Sequence, residues 1–215
     1  MVPEPDSNGG AGRMPVEDLA AYLIELREQC ALSLTAFAEL RALVQHLPPV
    51  DDESRRIWNR RVWLRIHAML SASSTVARLL WPNPQGAQRK DAEATLARGA
   101  RLRKFLKLAQ GPPESARRAR NAFAHVDEQL DSWLREGQEG ARLGWVLSSL
   151  DKKEEPSFAA SAFRYYNINL RELRIGSEVC DLGDLVSWVE SVDDTLPHEA
   201  QMVYQRMDRE GRIER

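Results

Sequence analysis

Only two cysteines, Cys30 and Cys180, occur among the 215 residues. Two isolated thiols give neither a disulfide framework nor a ligand cluster, and Cys30 sits on an apolar helical stripe, which predicts a buried thiol. Histidine is almost as scarce: the four are His46, His67, His125 and His198, and no Cys/His spacing fits zinc. No apolar run approaches the roughly 18 residues of a membrane span. The start, MVPEPDSNGGAGRMP, is polar and has no apolar signal core. These absences predict a cytoplasmic protein with no membrane partner. A Gly-rich phosphate loop and a G-x-S-x-G elbow are both missing, which excludes P-loop and nucleophile-elbow chemistry. Nothing in the chain calls for a cofactor, and no internal repeat recurs at a fixed period.

What is present fits a globular domain. Apolar content is 43% and charged content 29%. The length suits one large domain, or one domain with an appendage, and can bury a core. The net charge of −2 hides an uneven distribution. From Gly86 to His125 there are ten Lys/Arg and three Asp/Glu; from Val126 to Arg215 there are eleven and nineteen. A second basic cluster, Arg55, Arg56, Arg60, Arg61 and Arg65, is interleaved with Trp58 and Trp63. Arg outnumbers Lys 25 to 5. The planar fork of Arg suits phosphate, so the bias is compatible with nucleic-acid binding; a codon bias or a solvated basic face explains it equally well.

Residues 1–14 are polar and rich in Gly and Pro, and read as a disordered tail. Pro15 to Leu47 reads as one long helix: Leu19, Leu23, Leu26, Cys30, Ser33, Phe37, Leu40, Val44 and Leu47 alternate gaps of four and three. Such a heptad seam packs along a neighbouring helix, within a bundle or between subunits. Pro48 and Pro49 end it. Asp51 to Leu80 reads as a second helix, capped by Asp51 or Asp52, with Ile57, Leu64, Ile66, Leu70, Val76 and Leu79 as its apolar positions. Ala92 to Ala109 is a third, strongly basic helix with Leu96, Leu102, Phe105, Leu106 and Leu108 inside. A fourth follows Gly111-Pro112-Pro113, carries the stripe Ala116, Ala119, Phe123, Val126, Leu130 and Trp133, and stops at Gly137. The period then changes. Arg142 to Leu150 and Phe163 to Leu170 are strand-like, Glu172–Ile175 and Glu178–Leu182 form a hairpin about Gly176-Ser177, and Leu185 to Leu196 is a short helix. The expected fold is therefore mostly α. An antiparallel four-helix bundle over 15–136 carries a small antiparallel β-sheet and short helices over 137–215.

The fourth helix concentrates the chemistry. Stepping 100° per residue from its apolar stripe puts His125 roughly opposite the core, with Asn121 and Glu128 on the same face and Arg120 at the stripe's edge, near Asp127. His125-x-Asp127-Glu128 is not expected to hold a metal, because Asp127 points away from His125 on a helix. Arg120-Asn121-x-x-x-His125 remains. An Arg followed four to six residues later by a His is the signature of the HEPN nuclease superfamily, often with a polar residue after the Arg. Arg41 with His46 and Arg61 with His67 have the same spacing, but Ala42 and Val62 follow those arginines, and both histidines read as ordinary helix residues.

Residues 65–135 resemble a set of bacterial HEPN-like proteins. These carry an apolar helix ending in Trp-Pro, then an Arg-Gly…Leu-Arg segment, then an Arg-Asn…His-x-Asp-Glu…Leu run. The matches are Thr75-Val76-Ala77-Arg78-Leu79-Leu80-Trp81-Pro82, then Arg98-Gly99-Ala100-Arg101-Leu102-Arg103, then Arg120-Asn121, His125, Asp127-Glu128 and Leu130. That pattern has Glu before the motif His and Arg after the Asp-Glu, where this chain has Ala124 and Gln129. The resemblance implies a homodimer that brings two motif helices together, and metal-independent cleavage of single-stranded RNA. An imidazole, ordinarily titrating at roughly pH 6.5, serves as acid or base. Arg120 grips the phosphate and Asn121 orients His125. Arg117, Arg118, Arg101, Arg103 and Lys104 track the backbone, and Asp127 and Glu128 support the histidine. A toxin or defence role implies a protein antitoxin or operon partner. Two other readings stay open: a catalytically silent dimeric interaction or nucleic-acid-binding module, and a structural adaptor in which Arg120 pairs with Asp127 or Asp131.

Overall fold

The computed structural model describes residues 16–46, 49, 51–84, 88–135, 145–147 and 162–196. Its elements are α1 (Val16–Val44), α2 (Asp52–Leu80), α3 (Arg89–Leu106), α4 (Glu114–Ala124), α5 (Val126–Arg135), β1 (Trp145–Leu147), β2 (Arg164–Asn167), β3 (Glu172–Ile175), β4 (Glu178–Asp181) and α6 (Leu182–Asp193). The expected tail over 1–14, the stop at Gly137 and the polar end from Pro197 lie outside the described residues.

The heptad seam of α1 is buried within the chain. Leu23, Leu26, Cys30, Ser33, Phe37 and Leu40 are all buried, and the main neighbour of α1 is α2. The pairing runs antiparallel. The Ser33 hydroxyl donates to the Met69 carbonyl at 3.4 Å, Arg65 meets Glu39 at 2.7 Å, and the Trp58 indole N–H donates to the Leu43 carbonyl at 3.2 Å. On α2 the buried stripe is Trp58, Val62, Ile66, Met69, Ser73, Val76 and Leu80. Ile57 and Leu64, expected inside, are half exposed or more. Ile57 precedes Trp58 by one residue and Leu64 falls midway between Val62 and Ile66, so both lie off the stripe that α1 covers. Asp51 caps α2 by accepting the Ser54 N–H at 2.8 Å.

Three further expectations change. The helix expected to run from Pro112 to Gly137 breaks at His125, whose φ/ψ of −114°/44° separates α4 from α5. Neither Pro nor Gly stands there. The break follows the packing on either side: Ala116, Ala119 and Ala122 hold α4 against the sheet, while α5 turns to seat Trp133 on Phe163, ring centroids 5.6 Å apart. On α3, Leu96 and Phe105 are exposed and only Gly99, Leu102 and Leu106 are buried; Lys107, left-handed at φ 56°, ends the helix three residues early. Nor do the first four helices form one bundle of equivalent members. The α1–α2 hairpin is the frame, α6 is the other principal partner of α1, α3 crosses the far end of α2, and α4 lies between α2 and the sheet.

The sheet has the order β1-β2-β3-β4. β2, β3 and β4 pair antiparallel as expected, but β1 joins β2 in parallel, with Trp145 opposite Tyr165. The hairpin turns at Gly176-Ser177, and Gly176 takes φ +56° while its N–H donates to the Phe163 carbonyl at 2.7 Å. Asp181 caps α6 by accepting from the N–H of Gly183 at 2.6 Å. One continuous apolar core joins α1 and α2 to Phe163, Leu173, Trp188 and Val189.

Candidate functional site

The core stripe of α2 leaves a second, polar stripe beside it. His67, Ser71, Ser74 and Arg78 recur at gaps of four, three and four, so they share one helical face. That face looks at α4. Between the two helices lies a half-open cleft of about 170 Å³, lined by His67, Leu70, Ser71, Ser74 and Arg78 from α2 and by Arg120, Phe123 and Ala124 from α4.

Ring, guanidinium and hydrogen-bond contacts order the walls of the cleft. The rings of His67 and Phe123 lie 4.9 Å apart at 53°, joining the two walls at one end. Arg164 reaches in from β2, with its guanidinium 4.9 Å from the Trp63 ring and 5.9 Å from the Phe123 ring, so Phe123 is braced from behind. Burial holds that guanidinium's pKa below its ordinary value. At the other end, Arg120 donates from Nη1 to Asn121 Oδ1 at 2.6 Å, and Arg78 donates to Thr75 Oγ1 at 3.2 Å.

The electrostatics are one-sided. Among the described residues that line the cleft, none is acidic. Burial lowers the Arg120 pKa, and the like charge of Arg78 lowers it further. Among the described residues Arg120 forms no salt bridge; neither Asp127 nor Asp131 pairs with it.

The sequence-predicted residues separate into three groups. Arg120 lines the cleft. Asn121 is adjacent, but its side chain is engaged with Arg120; it meets His125 only through its backbone carbonyl, which accepts the His125 N–H at 3.0 Å. His125 follows a cleft-lining residue yet turns outward, with its side chain 62% exposed and Nδ1 3.6 Å from Glu128 Oε1. Asp127 is exposed, with no role inside the cleft. Of the five residues expected to track a phosphate backbone, Arg117 is paired with Glu114 and Arg118 with Glu178, each at 2.9 Å. Arg103 serves the fold: it donates to the Leu80 carbonyl and stacks 5.4 Å from the Trp81 ring. Arg101 and Lys104 form no salt bridge among the described residues. No cluster of three or more His, Cys, Asp or Glu that could hold a metal occurs among the described residues, and no described helix is long and apolar enough to cross a membrane.

Sequence reasoning missed His67, Ser71, Ser74 and Arg78. The signal was available: a polar i, i+4, i+7, i+11 stripe running beside an apolar one on the same helix. Along the sequence the arginine spaced from His67 is Arg61, which Val62 follows; Arg120 lines the same cleft as His67 through tertiary packing. Comparison with known proteins gives no match among family models, curated sequences or solved structures.

Proposed function

We propose that this protein is a HEPN-like RNA-binding module that holds the phosphate backbone of single-stranded RNA in the α2–α4 cleft. One observation carries this reading: Arg78 and Arg120 converge on an open cleft that no carboxylate lines among the described residues. Two like charges held together are unfavourable until an anion joins them, and a guanidinium fork matches phosphate oxygens bidentately. The choice of RNA rests on the resemblance of residues 65–135. The test is fluorescence anisotropy of labelled single-stranded RNA over a range of salt. Affinity should fall linearly on logarithmic axes as counterions are released. Arg120→Ala should weaken binding by roughly tenfold or more, the range of a charge-assisted contact. Equal binding by wild type and Arg120→Ala, or binding indifferent to salt, refutes the reading.

A second reading is favoured by the exposure of His125 at the helix break. In it the protein is a metal-independent endoribonuclease of toxin or defence type that acts as a homodimer, under the control of a protein antitoxin or operon partner. Two subunits supply two His125 side chains. One takes the 2′-OH proton, the other protonates the leaving 5′-oxygen, and Arg120 stabilises charge on the phosphorus oxygens, leaving a 2′,3′-cyclic phosphate. Because Asn121 is occupied by Arg120, His125 needs orientation from the second subunit. The assay is labelled RNA in EDTA, wild type against His125→Ala, beside light scattering for a mass of twice 24.4 kDa. A monomer, or RNA left intact by the wild type, removes the cleavage reading and leaves the binding one standing.

A further inference from the structure

We propose that the α2–α4 cleft is a phosphomonoester site. The guanidiniums of Arg78 and Arg120 hold a dianionic phosphate, Ser71 and Ser74 donate hydroxyls to it, and the His67–Phe123 ring pair flanks the group it esterifies. The inference rests on the RNA-binding reading for its location and adds which phosphate the cleft selects.

Charge matching comes first. The cleft presents two permanent positive charges and, among the described residues, no lining carboxylate. A phosphodiester brings a single negative charge and leaves one guanidinium uncompensated. A phosphomonoester carries about −1.5 to −2 at neutral pH and compensates both. The donor count agrees. Arg120 has one N–H engaged by Asn121 and Arg78 one by Thr75, and the rest of each five-donor fork remains available. The Asn121 contact also restrains the Arg120 guanidinium before any ligand arrives, which lowers the entropy lost on binding.

Shape points the same way. A cavity of about 150 Å³ accommodates one benzene ring. A cleft of about 170 Å³ therefore encloses one phosphate and the first atoms of its ester, and a strand seats only one of its phosphates there. The donors stand on two elements set by the core: Ser71, Ser74 and Arg78 flank the buried α2 stripe, and Arg120 follows the fully buried Ala119. At the other end, the braced Phe123 ring and His67 offer a stacking surface for a base or sugar. A free mononucleotide and the phosphorylated end of an oligonucleotide share this chemistry.

The experiment uses the full chain and isothermal titration with four probes: uridine, uridine 5′-monophosphate, and a single-stranded RNA hexamer with and without a 5′-phosphate. The phosphate should raise affinity about tenfold or more, a typical return for a charge-assisted contact pair. Arg78→Gln should erase that advantage, Ser74→Ala should reduce it, and Arg89→Gln, which changes a charge outside the cleft, should preserve it. Circular dichroism melting of each variant separates lost binding from lost folding, and Ser74→Ala gives a second reading should Arg78→Gln melt early. An advantage in the hexamer arm assigns the site to RNA ends. An advantage confined to the mononucleotide arm supports the site and refutes RNA as its ligand. Tight, equal binding of both hexamers, with the mononucleotide no better than uridine, overturns the proposal while the backbone reading survives. A phosphate advantage that persists in Arg78→Gln overturns it as well.

Discussion

Gly99 is where α3 crosses the end of α2, and replacing it tests that crossing. A β-carbon there would stand 2.5 Å from Pro82 Cδ and 2.9 Å from both Pro82 Cγ and the Leu80 carbonyl oxygen. None of these atoms yields easily. Pro82 is a closed ring, and the Leu80 carbonyl is held by Arg103, whose guanidinium also stacks on Trp81. In an open helix, Gly→Ala stabilises by about 1 kcal/mol. Forcing an extra methyl into a filled space costs about 1–3 kcal/mol. The sum is a loss of up to about 2 kcal/mol for Gly99→Ala, opposite in sign to the helix-propensity expectation. Urea unfolding at 25 °C, followed by circular dichroism, measures it. Ala100→Gly, on the exposed neighbour, calibrates propensity alone and should lose about 1 kcal/mol. A more stable Gly99→Ala protein would refute the close approach and, with it, the placement of α3 on the Trp81-Pro82 corner.

Four other outcomes are expected. His125→Ala should leave unfolding free energy within about 0.5 kcal/mol of wild type, since its side chain is 62% exposed; a larger loss in a urea titration would make the residue structural. Trp133→Ala should cost about 3–5 kcal/mol, because the indole is buried against Phe163, and a loss below about 1 kcal/mol would detach α5 from the core. Burial pushes the Cys30 thiol up to about 12, Cys180 to about 11 and the Tyr166 phenol to about 12, against ordinary values of 9.0, 9.0 and 10.0. Each folded-state pKa is raised, so the unfolded chain releases these protons first. Stability should be full below pH 9 and fall as pH climbs from there toward 12, which melting temperature against pH would show; a flat profile across that window contradicts the burial. Asp181→Ala removes the cap of α6 and should cost about 1 kcal/mol in the same urea assay, with no change placing the Gly183 N–H in water.

The long helices were legible because their stripes are regular over many turns. What the stripes could not say was which of two adjacent apolar rows would be covered. Ile57 and Leu64 lie beside Trp58, Val62 and Ile66, and only the position of α1 decides between them. The break at His125 carries no local punctuation; it arises because Ala122 and Trp133 are buried against different partners. β1 pairs in parallel with β2 across an intervening segment, a non-local choice that alternation cannot encode. At the candidate site, Arg120 stood out through its spacing to His125, yet the fold turns His125 outward and supplies His67 and Arg78 from two helices earlier. A motif read along one helix finds neighbours in sequence, whereas this cleft is made of neighbours across a helix pair.

The bracing of Phe123 by Arg164 has a consequence for the order in which the molecule is made. Domains fold as they emerge during synthesis, N-terminal part first, at roughly 5–20 residues per second. The α1–α2 hairpin can close early, and α4 can then bring Arg120 beside Arg78. The aromatic end of the cleft is not finished at that stage, because its brace sits on β2, and β2 is itself held by strands that emerge later still. A ribosome-bound chain that stops after α5 would therefore carry both arginines and the His67–Phe123 ring pair but lack the Arg164 contact on Phe123. The cleft takes its final form only once the sheet has assembled, which ties the shape of the helical half to completion of the other.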